Sequence, residues 1–177
     1  MATLRTIGYE RASLSQFLVA LRDARVDRII DVRAVPISRK PGFSQAALRQ
    51  TLAENGIDYV HIRALGTPQA GREAAKAGRY REFERIFRAH LATPEAREGL
   101  AATAAQALMS RACLLCFERD AERCHRSLIA QRLQSEHRFL VEHLAVAERT
   151  AAGGHERDGR RSAHPRQGRA AAEPAAR

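Results

Sequence analysis

The chain has 177 residues, a formal net charge of +10 and three cysteines. That length supports one domain with a substantial core. The absence of a long apolar run excludes a membrane-spanning chain, and so few cysteines exclude a disulfide-stapled secreted scaffold. The first residues run straight into a strand pattern with no leader-like segment, so the expected setting is the cytoplasm with reduced thiols and no membrane partner.

Leu4-Arg5-Thr6-Ile7 reads as a first strand that ends in Gly8-Tyr9. Ser13 is placed to cap a helix with Leu14, Phe17, Leu18 and Leu21 at helical spacing. A second strand, Arg28 to Arg33, puts Asp31 and Arg33 on one face near its end. A Pro- and Gly-punctuated loop, Ala34 to Phe43, leads to a helix from Ser44 to about Asn55 with Gly56 as its stop. Ile57 to His61 is the third strand. A further long loop carries Arg63, Leu65, Gly66, Thr67, Pro68 and Gly71.

Arg79 to Leu91 is helical, with Tyr80, Phe83, Phe87 and Leu91 as the inner stripe and Arg81, Arg85 and Arg88 on another face. Thr93 and Pro94 open the next helix, through about Met109. The fourth strand is the apolar run that ends at Phe117, as a central parallel strand should be. A helix follows from an Asp120 cap to about Gln134, and Arg138 to Leu144 forms a fifth strand. From Arg149 onward the chain has no aromatic residue and no Val, Ile or Leu, so residues 149–177 are expected to be a disordered tail behind a domain of residues 1–148.

Strands that alternate with helices imply a three-layer α/β domain, Rossmann-like, with a mainly parallel sheet covered on both faces. Ligands of such sheets gather beyond the C-terminal strand ends. That rule brings together Gly8 and Tyr9, Asp31 to Ser38, His61 to Gly66, and Cys116 to Arg126.

Cys124-His125-Arg126 is the densest chemistry in the chain. A helix start with cations nearby lowers a thiol pKa, whereas apolar burial raises it. On a regular helix His125 diverges from Cys124 by about 100°, so His125 and His61 both stand as proton acceptors. Arg33 and Arg126 can grip an anion; the alternative is an internal ion pair such as Asp31 with Arg126. Cys116 and Glu118 share a strand face and with Cys124 and His125 could bind a metal. The C-x7-C-H spacing is not a familiar zinc pattern, however, so neither metal nor other cofactor is assigned. A Cys116–Cys124 redox pair is the other use of the two sulfurs, and Cys113 faces the core.

Other spacings exclude familiar chemistries. The position six residues after Cys124, where a cysteine phosphatase loop wants arginine, is Ala130. There is no phosphate-binding G-x-x-x-x-G-K-[ST] loop, no G-x-G-x-x-G turn, and no helix-turn-helix or aromatic RNA-binding signature. The basic residues are almost all arginine, with Lys40 and Lys76 the only lysines, which fits either a compositional bias or an anionic partner. The segment from Ala151 contributes +3, so the body keeps +7.

Thr6-Ile7-Gly8-Tyr9, Asp31-Val32-Arg33 with Pro36 and Ser38, Phe43 with Leu48, Gly56-Ile57 with Tyr59, Leu65-Gly66, and Leu114-Leu115-Cys116 with Glu118 and Cys124-His125-Arg126 together resemble the DUF488 family. The resemblance runs from about residue 4 to 133 and implies a compact α/β domain without an assigned reaction. Where the family often has a second glycine after the third strand, Thr67 stands here. The expected function is a small enzyme acting on a phosphate-bearing substrate, either a nucleotide or nucleic acid. Cys124, His125, Glu118 and Asp31 would be the catalytic set, and Arg33, Arg126, Tyr9, Ser38 and His61 would bind substrate. The alternative is a non-catalytic nucleic-acid-binding module whose polar cluster is a structural ion-pair network.

Overall fold

A computed structural model of the chain describes residues 2–146. The strands are β1 (Thr3–Gly8), β2 (Arg28–Asp31), β3 (Asp58–His61), β4 (Ala112–Cys116) and β5 (Leu140–Leu144). They form one sheet in the order β3-β2-β4-β1-β5, and every neighbouring pair is parallel. The helices are α1 (Leu14–Asp23), α2 (Gln45–Glu54), α3 (Gln69–Lys76), α4 (Tyr80–Leu91), α5 (Pro94–Met109) and α6 (His125–His137), with a 3-10 turn at Arg63–Leu65.

The sheet divides two cores, which makes the domain three-layered. On one face Ile7, Ile29, Cys113 and Leu115 pack against α1 and α2 through Phe17, Leu21, Leu48 and Leu52. On the other, Leu4, Ile30 and Leu114 meet Phe83, Phe87, Leu100, Ile129 and Leu133 from the later helices. All five residues of β4 are buried, because β1 and β2 flank it and helices cover both faces. Among the described residues no helix is long and apolar enough to cross a membrane.

Local signals explain several boundaries. Ser13 and Gln16 form a reciprocal capping box at the start of α1. Pro94 occupies the first turn of α5, whose Thr93 cap accepts from the N–H of Ala96. Gly56 closes α2 at φ +69, a left-handed conformation that glycine adopts without strain.

Three expectations need correction. The stretch after Pro68, read as loop, contains helix α3. Pro68 stands at its cap rather than inside it, and Gly71 is a packed helical residue whose missing side chain admits Thr67 and α4. Tyr80 is exposed rather than part of the inner stripe of α4, since it begins the helix beyond the reach of the core. Helix α6 begins with Cys124 as its cap, not Asp120. Asp120 instead accepts from Glu122 N–H in the preceding turn. The disordered tail expected over residues 149–177 lies outside the described residues.

The connections set the place of the site. The chain leaves β2 toward the β3 edge and leaves β4 toward the β5 edge. The loops that follow β2 and β4 therefore part beyond adjacent strand ends, and such a reversal leaves a crevice. Register brings Gly8 level with Cys116, and Asp31 level with Leu115. Gly8 lets the returning β4–α6 loop cross directly over β1, where a Cβ would sit 1.8 Å from the Glu118 carbonyl oxygen. Gly8→Ala is accordingly expected to destabilise the domain by about 3 kcal/mol or more, the upper end for overpacking against atoms that cannot yield. Equilibrium denaturation measures this, and a loss under 1 kcal/mol, roughly the small end of that range, contradicts the crossing.

Candidate functional site

Two polar networks meet at the C-terminal rim of the sheet. The first is built on Asp31, the last residue of β2, which is fully buried. Its carboxylate accepts from the Arg33 backbone N–H and from Arg33 Nε and Nη2, at 2.5–3.0 Å. The Tyr59 hydroxyl donates to it at 2.6 Å. Arg33 Nη1 donates to the Tyr9 hydroxyl and to the Phe43 carbonyl. Burial opposes the Arg33 charge, but the bond and charge of Asp31 outweigh it and hold the guanidinium protonated. Burial, then the bond to Asp31, pushes the Tyr59 hydroxyl above its ordinary pKa. The expected internal pair of Asp31 thus forms with Arg33, two residues on and just past the end of β2, and not with Arg126. His61 bonds the Arg33 carbonyl at 2.8 Å and does not join the Cys124 cluster.

The second network holds the cysteines. Cys116 ends β4, Glu118 lies two residues on, Cys124 caps α6 and His125 begins it. Cys116 Sγ lies 2.8 Å and Cys124 Sγ 3.1 Å from the same oxygen, Glu118 Oε2. His125 Nδ1 lies 3.5 Å from Cys116 Sγ and 3.8 Å from Cys124 Sγ. On the other side of the ring, His125 Nε2–H donates to the Val32 carbonyl at 2.8 Å. A carbonyl only accepts, so one ring proton is fixed on Nε2 and Nδ1 faces the sulfurs.

The divergence expected between Cys124 and His125 on a regular helix does not arise. As the cap, Cys124 has extended backbone (φ −127, ψ 142), which turns its sulfur to the same side as the His125 ring. The sulfur accepts the N–H of Arg126 at 3.5 Å. Burial raises the Cys124 thiol, but the hydrogen bond from Cys116 and the bond and charge of His125 outweigh it, with Arg126 adding to them. The result is a pKa well below the usual thiol range. Burial, together with the neighbouring Cys124 and Glu118, pushes Cys116 the other way, well above that range. Burial and then Cys124 raise Glu118. Of the two thiols, Cys124 is therefore the one that favours the thiolate and Cys116 the one that keeps its proton. Cys113 is walled into the opposite core, as expected, and burial raises its thiol.

Arg126 holds the loop that carries Glu118. Its guanidinium, 1% exposed, donates to the carbonyls of Glu118 and Arg119 and to Thr6 Oγ1. An arginine at a helix start opposes the helix dipole, and here those carbonyls, not an acidic side chain, are its partners.

A cleft of about 500 Å³ opens over the second network. Cys116, Glu118 and His125 reach its lining, while Cys124, 1% exposed, lies behind them. Tyr9, stacked on Phe43 at 4.3 Å, and Phe117 contribute aromatic surface. Ser38, Arg39, Lys40 and Arg72 line it too. Lys40 Nζ donates to the Tyr9 carbonyl, and Arg72 to that of Thr67. Among the described residues no carboxylate pairs with Arg39, Lys40 or Arg72. Sequence reasoning did not assign those three cations to the site. Arg72 was hidden by reading α3 as a loop, and Arg39 and Lys40 lay in a loop whose course no periodicity reports.

A family model described as Domain of unknown function DUF488 matches residues 13–133. No curated protein and no solved structure matches the chain.

Arg126→Met is expected to leave the two loop carbonyls and Thr6 without their donor. Each buried acceptor so stranded costs about 1–3 kcal/mol, which predicts a total loss of at least about 3 kcal/mol in urea denaturation. A variant as stable as the parent would show that the buried guanidinium does not hold the loop.

Proposed function

The chain belongs to the DUF488 family, a domain of unknown function, and from the residues of its site we propose that it is a small enzyme acting on a phosphate-bearing organic molecule. One observation carries this reading. The cleft between the loops after β2 and β4 has a thiol, a carboxylate and an imidazole at its floor, and around its wall three cations that have no carboxylate partner among the described residues.

The division of labour follows from the geometry. Arg39, Lys40 and Arg72 are the groups with hydrogen-bond donors left to offer an anion. Lys40 uses one of its three on Tyr9, and Arg72 uses one nitrogen on Thr67. Ser38 lies beside them, its hydroxyl accepting from the N–H of Lys40. Arg33 and Arg126, the cations expected to hold the anion, have their guanidinium groups engaged by protein acceptors, so in this reading they position the walls. Asp31 belongs with Arg33 in that role. Tyr9 and Phe117 supply aromatic surface for the organic part of the substrate. Cys116, Glu118 and His125 face the bound molecule, and Cys124 acts on it through them.

Titration calorimetry with phosphate monoesters, nucleoside monophosphates included, tests the proposal. Lys40→Ala and Arg72→Ala are each expected to weaken binding about tenfold or more, as loss of a charge-assisted hydrogen bond does. Arg97→Ala, an exposed change on α5 away from the cleft, should leave binding unchanged. Saturable binding that is indifferent to both cleft substitutions overturns the reading. So does a protein that ignores monoesters but holds duplex DNA with steep salt dependence, which marks a phosphate-backbone surface instead.

A further inference from the structure

We propose that Cys116, Glu118, Cys124 and His125 bind a single divalent transition-metal ion of the zinc class, held at the floor of the cleft. This rests on the reading above for the place of the reactive floor, but not for the identity of the molecule that enters the cleft.

Geometry is the first argument. One donor atom from each of the four residues lies within 4.8 Å of all the others. The ordinary tetrahedral zinc distances to sulfur, nitrogen and oxygen require donor-to-donor edges of roughly 3.3–3.8 Å. The two sulfur-to-nitrogen edges, 3.5 and 3.8 Å, already meet that requirement. The two sulfur-to-oxygen edges, 2.8 and 3.1 Å, need to open by a few tenths of an ångström. Glu118 lies on the loop between β4 and α6, and a carboxylate at the end of two methylenes can open these edges by rotation.

Histidine orientation is an independent argument. A ligating histidine typically gives its other ring N–H to a carbonyl or carboxylate, which fixes the tautomer and the plane of the ring. His125 does so through Nε2–H to the Val32 carbonyl, and this aims Nδ1 at both sulfurs. The ring is held further by edge contact with Phe87 at 5.2 Å. Its neighbours on that face of α6, Ile129 and Leu133, are aliphatic core, so Nδ1 has the two sulfurs as its polar surroundings.

Donor chemistry chooses the ion. Two sulfurs and an imidazole select zinc, cobalt(II) or iron(II) over magnesium and calcium, which want oxygen. Binding is a proton exchange with no change of oxidation state. Each sulfur and Nδ1 releases to solvent whatever proton it carries, and binds as thiolate or neutral imidazole. The backbone around the donors is already fixed by the β4 ladder, the α6 cap and the Arg126 clamp on the Glu118 carbonyl.

The arrangement is also directional. Cys124 closes the cluster from behind, while Cys116, Glu118 and His125 face the cleft. Glu118 is the ligand that a substrate oxygen or a water approaching from the cleft would displace, which would leave two sulfurs and one nitrogen on the ion. Three protein ligands with one exchangeable position is the pattern of catalytic rather than purely structural zinc.

The full-length chain, reduced and stripped with a chelator, is titrated with zinc(II) and separately with cobalt(II), with no phosphate compound present. One equivalent of zinc is expected to bind in competition with a chromophoric chelator. The cobalt form is expected to show thiolate-to-cobalt charge transfer and tetrahedral visible bands. Cys116→Ser and Cys124→Ser should each weaken binding on the order of 100-fold or more, beyond the ~10–100-fold typical of outer partners. Glu118→Gln, a change of one atom, keeps the charge-transfer band and shifts the visible bands, while Cys113→Ser retains both metal and spectrum. A cobalt adduct lacking charge transfer overturns the proposal, as does binding that survives both Cys→Ser changes. A reduced, folded protein that takes up no equivalent of either ion overturns it as well. Because no phosphate compound is used, failed monoester binding leaves this result standing, and failed metal uptake leaves the calorimetry of the cleft standing.

Discussion

A buried cation whose guanidinium is held by backbone carbonyls organises this domain. Arg126 sits on the first turn of α6, where the helix dipole is unfavourable to it, and is almost wholly removed from water. It is tolerated because carbonyl oxygens of the β4–α6 loop and a threonine of β1 take its donors. The same bonds make the loop rigid. Glu118 then has a fixed backbone, and the turn into Cys124 is held against the end of β1, where only glycine leaves room for the crossing. The cysteine cluster has a defined shape because this clamp closes over it.

The two polar networks are joined through the backbone that follows β2. Val32 gives its carbonyl to His125, and Arg33 gives its carbonyl to His61 while its side chain locks onto Asp31. A displacement of the Asp31–Arg33–Tyr59 group would therefore shift the acceptor that orients the His125 ring. This explains why a buried ion pair stands at the cleft, where Arg33 reaches the lining while its donors are spent on protein acceptors. Buried ion pairs are weak contributors to stability when compared with apolar replacements, but here the pair fixes a strand end on which the reactive cluster leans. The cations that remain for a ligand lie on the 34–43 loop and on α3.

Much of the fold was legible because it depends on local periodicity and capping. The strand at Ala112 to Cys116 announced its burial by being apolar throughout, and Ser13 before Leu14, Phe17, Leu18 and Leu21 announced a helix start. Helix α3 was not legible, since Pro68 and Gly71 punctuate the text like a loop. Gly71 is present because α3 packs closely on Thr67 and α4, a tertiary fact. The start of α6 was misplaced for a related reason. Asp120 is a better intrinsic cap than cysteine, yet its carboxylate closes only a turn onto the Glu122 N–H, and the helix waits until Cys124.

For the site, the residues by themselves established that a cysteine, a histidine, two arginines and carboxylates would gather at one end of a parallel sheet, because strand polarity sends every strand end to the same rim. They did not establish who partners whom. Asp31 met Arg33 rather than Arg126, and Cys116, rather than Cys124, reached the cleft. The extended backbone of the helix cap placed both sulfurs around one imidazole nitrogen. Chain chemistry determines which groups arrive at the rim. Only packing in three dimensions sets the distances and directions among them, and hydrogen bonds and coordination depend on those within a few tenths of an ångström.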